Sequence, residues 1–112
     1  MNESMKHLLD IREKTLSVTV PGDVLSTNAD ALREDLFGLL DSPPVKHGDW
    51  DTLKLDLTAA QMVDSVGLNL IVAIVRNVKN RNGRIVTTLK SPNIHRTFLF
   101  TRLDKQMELV KV

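Results

Sequence analysis

Apolar and polar residues alternate in two short runs of this chain. Thr15 to Val20 ("TLSVTV") puts Leu16, Val18 and Val20 on one side and Ser17 and Thr19 on the other, and Thr52 to Leu57 ("TLKLDL") repeats the period. A period of two is that of a strand with one buried face. Pro21-Gly22 ends the first run, and "HLLDIREK", His7 to Lys14, predicts an edge strand before it, joined through the polar Glu13-Lys14 turn. "RIVTTL" (Arg84 to Leu89) and the closing "MELVKV" (Met107 to Val112) predict two more strands. Between these runs the period lengthens. Ala29, Leu32, Leu36, Phe37, Leu39 and Leu40 follow helical spacing behind Ser26, Thr27 and Asn28, which offer cap oxygens to the exposed first amides. A second helix is predicted from Val66 to Arg81 on the stripe Leu68, Ile71, Val75 and Val78. Its end is marked by "NRNG", with Gly83 free to take a positive φ and Arg76, Lys79 and Arg81 near the negative helix end. "SPNIHRTFLFTRL" opens a third helix with a serine cap and a proline at the first helical position. The segment "DSPPVKHGDWD" reads as a surface loop with Trp50 packing on the core rim. Strands alternating with helices predict one α/β domain over residues 1–112. Its sheet is mixed, of about four to five strands with helices packed against it, the N-terminal pair antiparallel and the later strands joined by helical crossovers.

Composition narrows the chemistry. The 112 residues are 42% hydrophobic and 26% charged, enough for a single core without disulfides or structural metals. The chain has no cysteine, which excludes thiol catalysis and thiolate metal sites and agrees with a reducing, cytoplasmic setting. Apolar stretches such as Leu68 to Val75 are far shorter than the roughly 20 residues a bilayer demands, and "MNESMKHLLDIREK" lacks a signal-peptide core. No membrane segment is expected. Fifteen basic against fourteen acidic side chains leave a formal charge of +1, and the basic "RNVKNRNGR" has no interleaved aromatics, so no nucleic-acid partner is expected.

At the junction of the third strand and second helix stands "MVDSVGLN", Met62 to Asn69, with a serine that could be a cap, a nucleophile or a switch. A nucleophile needs a base and an orienting group. The elbow pattern G-x-S-x-G is absent, and His7, His47 and His95 share no spacing that points to Ser65 or to a metal. No catalytic residue, metal or cofactor is expected. Capping by Asp64 or Ser65 explains an oxygen-bearing residue here. The helix also places Val66, Leu70 and Ala73 opposite the predicted core stripe, among Asn69, Arg76, Asn77 and Asn80, a mixed patch of the kind partners dock on. The alternative is that the Ser42–Asp51 loop covers this face.

"LKLDLTAAQMVDSVGLNLIV" resembles the signature region of the STAS domain, most closely that of the small bacterial anti-sigma factor antagonists, where a strand is followed by a D-S-x-G-L run at a helix start. "VTVPGDV", "NADALRE" and "SPNIHRTFLFTRLDKQMELV" are similar to the family's G-E-L-D-like turn, first helix, and third helix with last strand, so the resemblance spans nearly the whole chain. It implies a phosphorylatable serine at Ser65, with Asp64, Gly67 and Leu68 at the other fixed positions. The implied partners are a GHKL-type serine kinase that is often the anti-sigma factor itself, and a PP2C-type phosphatase. The implied function is partner switching in transcription regulation, by a non-enzymatic protein that is a monomer or weak dimer. The implied partner surface comprises Asp64, Ser65, Val66, Gly67, Asn69, Leu70 and Ala73, with Asp23 beside it. Gly67 is expected to mark a close backbone approach. The sequence departs from the family at Leu25, where the turn's aspartate falls, and at Arg102, where a glycine is common after the third helix; it also reads to Val112 without the additional C-terminal helix of many antagonists. Two other readings remain: a STAS scaffold or subunit of a transport or sensory assembly in which Ser65 merely caps, and an acyl-carrier-like D-S-L site, which the predicted strands and near-neutral charge disfavour.

Overall fold

A computed structural model describes residues 5–112; the first four residues of the segment read for an export signal lie outside it. Strand β1 (Lys6–Asp10) turns through Ile11 to Lys14 into β2 (Thr15–Thr19), and helices α1 (Ala29–Asp41) and α2 (Pro43–Lys46) lead to β3 (Thr52–Leu57). Helix α3 (Ser65–Asn80), β4 (Arg84–Leu89), α4 (Pro92–Phe100), a 3₁₀ turn (Leu103–Lys105) and β5 (Glu108–Lys111) follow. Among the described residues the sheet has the order β1-β2-β3-β4-β5, with β1 antiparallel to β2 and every later pair parallel.

This order determines where the core lies. From β2 onward each crossover steps in the same direction, and right-handed crossovers that never reverse put their helices on one side of the sheet. The strands record it. Leu16, Val18, Leu53, Leu55, Leu57, Ile85 and Leu89 are buried and join one cluster with Leu36, Ile71, Val78, Ile94 and Phe98 from the helices. On the other face a continuous row runs Leu8, Ser17, Lys54, Val86, Glu108 across the five strands. The parallel strands therefore alternate, where strands covered on both faces would be apolar throughout.

Five local expectations are corrected. Gly83 does not take a positive φ; Asn82 does, at 62°, because asparagine tolerates the left-handed region and leaves Gly83 to meet Val78 and the Asp51 carbonyl closely. Ser26, Thr27 and Asn28 do not cap α1. Asn28 stands at the cap position, but its Oδ1 accepts from the Leu25 N–H (2.8 Å) and its Nδ2 donates to the Asp23 carbonyl (2.8 Å), holding the preceding turn instead. The 42–51 segment is not all loop: Pro43 at a helix start nucleates α2. Trp50 lies in the core, 4% exposed, with its indole N–H donating to the Val45 carbonyl at 2.7 Å. Arg81, expected only as a charge near the negative end of α3, lies 3.8 Å over the Trp50 ring and donates to the carbonyls of Val45, Gly48 and Trp50.

The hydroxyl of Thr87, on the core face of β4, is fully buried and has no partner among the described residues. An unmatched buried hydroxyl costs stability that an isosteric methyl does not. Thr87→Val is expected to raise unfolding stability by about 1 kcal/mol, measured as a higher urea midpoint at unchanged slope.

Candidate functional site

Two loops meet at the N-terminus of α3. Asp23 Oδ1 accepts from the backbone N–H groups of Gln61 (2.7 Å) and Met62 (3.2 Å). The Val24 N–H donates to the Met62 carbonyl (3.1 Å), the Asp64 N–H donates to the Val24 carbonyl (3.2 Å), and Val24 and Val63 form a parallel bridge. Ser91 Oγ donates to the Gln61 carbonyl at 3.0 Å and accepts from the Ile94 N–H, which ties the start of α4 to the same loop. The chain approaching Ser65 is thereby held from both sides.

Asp64 is the N-cap. Its Oδ1 accepts from the Gly67 N–H at 2.8 Å, and its Oδ2 accepts from the Ser26 N–H at 2.7 Å, so one carboxylate joins the helix start to a loop 38 residues away. These N–H groups, Gly67 first and Ser26 second, hold its pKa below the ordinary carboxylate range, because they bond the charged form. A carboxyl with a lowered folded-state pKa contributes stability at pH above its unfolded value and loses it as pH falls through the folded value. In Asp64→Asn the amide keeps an acceptor for Gly67 but offers none to Ser26. The stability gap between wild type and Asp64→Asn is expected to be largest near neutrality and to shrink below about pH 4, in urea titrations across pH.

Ser65 is the first helical residue, exposed, and its hydroxyl makes no hydrogen bond among the described residues. Of the cap-or-switch alternatives, capping by the side chain falls to Asp64. Around Ser65 stand Val66, 41% exposed, and Met62, 56% exposed. Asn69 is exposed and Ala73 half-buried. Leu70, expected on the outer face, is instead buried at 1%. The sheet-facing residues of α3 are Gly67, Leu70, Ile71, Ile74, Val75 and Val78, at i, i+3, i+4, i+7, i+8 and i+11, whereas Leu68 is displaced to the half-buried flank. Gly67 packs against the Val24 carbonyl, where a Cβ would lie 2.7 Å from the carbonyl carbon. Asp23 is spent on the loop junction, so its part is to position the site. The Ser42–Asp51 loop does not cover the Ser65 end, since its side-chain hydrogen bonds from the α3 region come from Arg81 at the far end of a 16-residue helix, about 24 Å away.

Sequence reading missed Met62 as an exposed apolar neighbour and Ser26 as a backbone donor. The first was discoverable, because a methionine two residues before the cap has no helix to bury it. Among the described residues no three His, Asp or Glu side chains converge on a metal-sized site, and no helix is long and apolar enough to cross a membrane. At the family's aspartate position Leu25 is half-buried, and at its glycine position Arg102 takes φ 62°, the left-handed conformation a glycine would adopt freely.

Comparison with known proteins agrees with this geometry. An anti-sigma factor antagonist from Mycobacterium paratuberculosis is similar, with 27% identity over 96% of this chain and 86% of that one and a TM-score of 0.71. A Thermotoga maritima structure shares the fold with a TM-score of 0.80 at 16% identity, covering 96% of this chain and 86% of that one. The phosphorylated form of SpoIIAA, a Bacillus cell-fate determinant, shares it with a TM-score of 0.63 at 16% identity, covering 96% and 91%. The STAS domain family matches residues 7–111, and with the chain-order sheet and the Asp64-capped helix start this establishes that the chain belongs to the STAS domain family.

Proposed function

We propose that this STAS domain is an anti-sigma factor antagonist whose binding of an anti-sigma factor is switched by phosphorylation of Ser65. The observation that carries the reading is the exposed, unengaged Ser65 hydroxyl at the first position of α3, flanked by exposed Met62 and Val66. Unmodified, the hydroxyl and its apolar neighbours form a surface a partner can cover at little desolvation cost. Phosphorylation adds about −1.5 to −2 charges there. The helix N-terminus tolerates a phosphate, so the fold survives it. Asp64, held ionised by its two N–H partners, repels the dianion, and burying both against a partner is costly. Binding is switched while folding is not.

The enzymes of the cycle are a GHKL-type serine kinase, the anti-sigma factor itself or a relative, and a PP2C-type phosphatase, acting in the cytoplasm on a domain that supplies only the substrate hydroxyl. Support comes from the family membership and from the anti-sigma factor antagonists among the similar structures, one of them a phosphorylated form. The test is to incubate the protein with the anti-sigma factor kinase of its native host, map phosphate by peptide mass spectrometry, and titrate binding before and after. Phosphate is expected on Ser65 and not on Ser91 or Thr58, with affinity falling more than tenfold, about 1.4 kcal/mol or more. Ser65→Ala is expected to bind and resist release. A dominant phosphosite elsewhere, or unchanged affinity once Ser65 is modified, would overturn the proposal.

A further inference from the structure

The outer face of α4 has no role in the site above. Phe100 is 89% exposed and Leu99 47%. One turn back from Phe100, at i−4, stands exposed Arg96, and exposed Arg102 follows two residues on, held in the left-handed conformation at φ 62°. Helix α4 carries no acidic residue, and neither arginine has an ion partner among the described residues; Lys105 beyond them pairs with Asp104. A phenylalanine almost wholly in water, with an arginine without an ion partner on either side of it in the chain, is an apolar knob with basic neighbours.

Its complement is on the same chain. The exposed face of α1 presents Ala31, Glu34, Asp35 and Gly38 at i, i+3, i+4 and i+7, with Asp30 and Asp41 at its ends and Arg33 as its single cation. Ala31 and the unobstructed Gly38 add no bulk to this face, and its carboxylates are opposite in charge to the two arginines. Helices α1 and α4 belong to different crossovers, so the two faces are separate surfaces of one copy.

We propose that the chain self-associates head to tail, the Phe100 face of α4 in one copy docking on the acidic face of α1 in the next. Repeated head to tail, such a heterologous contact builds a distribution of short oligomers that grows with concentration and shrinks with salt. It is independent of Ser65.

The test is sedimentation velocity on the full chain over a range of concentrations at low and high salt. Phe100→Ser removes the knob, and the double variant Glu34→Lys with Asp35→Lys removes the acceptor; all three positions are exposed, and circular dichroism and melting confirm that each variant is folded. Each variant alone is expected to be monomeric, with association weakened at least about tenfold, the scale of a lost interface anchor. An equimolar mixture of the two is expected to form a dimer and nothing larger, because one wild-type knob meets one wild-type acceptor. Wild type that stays monomeric at every concentration overturns the proposal, including the case in which Phe100-dependent sedimentation with phosphatidylglycerol vesicles shows that an anionic lipid surface takes this face. Oligomers that persist in Phe100→Ser, or a mixture that stays monomeric, also overturn it.

Discussion

Leu70→Asp is expected to leave the domain unfolded at room temperature. Leu70 lies second along the face of α3 that meets the sheet and is 1% exposed, so the substitution loses its burial and forces a carboxylate among Ile71, Ile74 and the strand leucines. Truncating a buried leucine alone costs about 2–5 kcal/mol. Burying a carboxyl with no partner adds several more, whether it ionises there or takes up a proton instead. A domain of this size has a total stability of about 5–15 kcal/mol, and a loss above about 5 consumes most of it. Loss of far-UV dichroism and of a cooperative urea transition is the expected result. Val66→Asp is the control: four residues earlier and 41% exposed, it should melt within about 0.5 kcal/mol of wild type. A folded Leu70→Asp would show that this helix presents another face to the sheet.

Gly67→Val is expected to cost about 3 kcal/mol and to loosen the surroundings of Ser65 at the same time. The first atom of any side chain at this position meets the Val24 carbonyl, and backbone has no rotamer with which to yield. That carbonyl also accepts the Asp64 N–H, so moving it strains the junction that holds the cap. Even Gly67→Ala, which in an unobstructed helix would stabilise by lowering unfolded-state entropy, should destabilise here. Urea unfolding measures the first effect. Faster amide hydrogen exchange at Val24 and Asp64, relative to the core of β3, measures the second.

The strands were legible because one face of the sheet is buried and the other is not, so Leu16/Val18 and Leu53/Leu55/Leu57 stand out against Ser17 and Lys54. The helix face was harder to place. Leu68, Ile71, Val75 and Val78 make an acceptable stripe at about 100° per residue, yet the true centre line is shifted by its first member, Gly67. Gly67 is legible as a close backbone approach, but a glycine has no hydropathy to add to a stripe, and with Gly67 and Ile74 both uncounted there, Leu70 fell on the wrong side. Asp64 as a cap could be read from residue type and position. Its second bond, to the Ser26 N–H, could not, because it depends on the fold bringing the 23–28 loop to the 61–64 loop. The same contact explains why Asn28 does not cap α1: its side chain is engaged by Asp23 and Leu25, in the very turn whose aspartate holds the other loop.

The sheet's order is also the order of synthesis. Every strand after the first pairs with the one made immediately before it, through a four-residue turn or a helical crossover, so none skips over an intervening strand to find its partner. Loop closure is then needed only in short increments, which favours rapid folding for a largely parallel sheet. A nascent chain can add β3 to the β1-β2 hairpin and β4 to β3 as each emerges, with the unfinished edge always at the newest strand. Aggregation in the cell should thus be most sensitive to delays after β4 is made and before α4 and β5 have covered it.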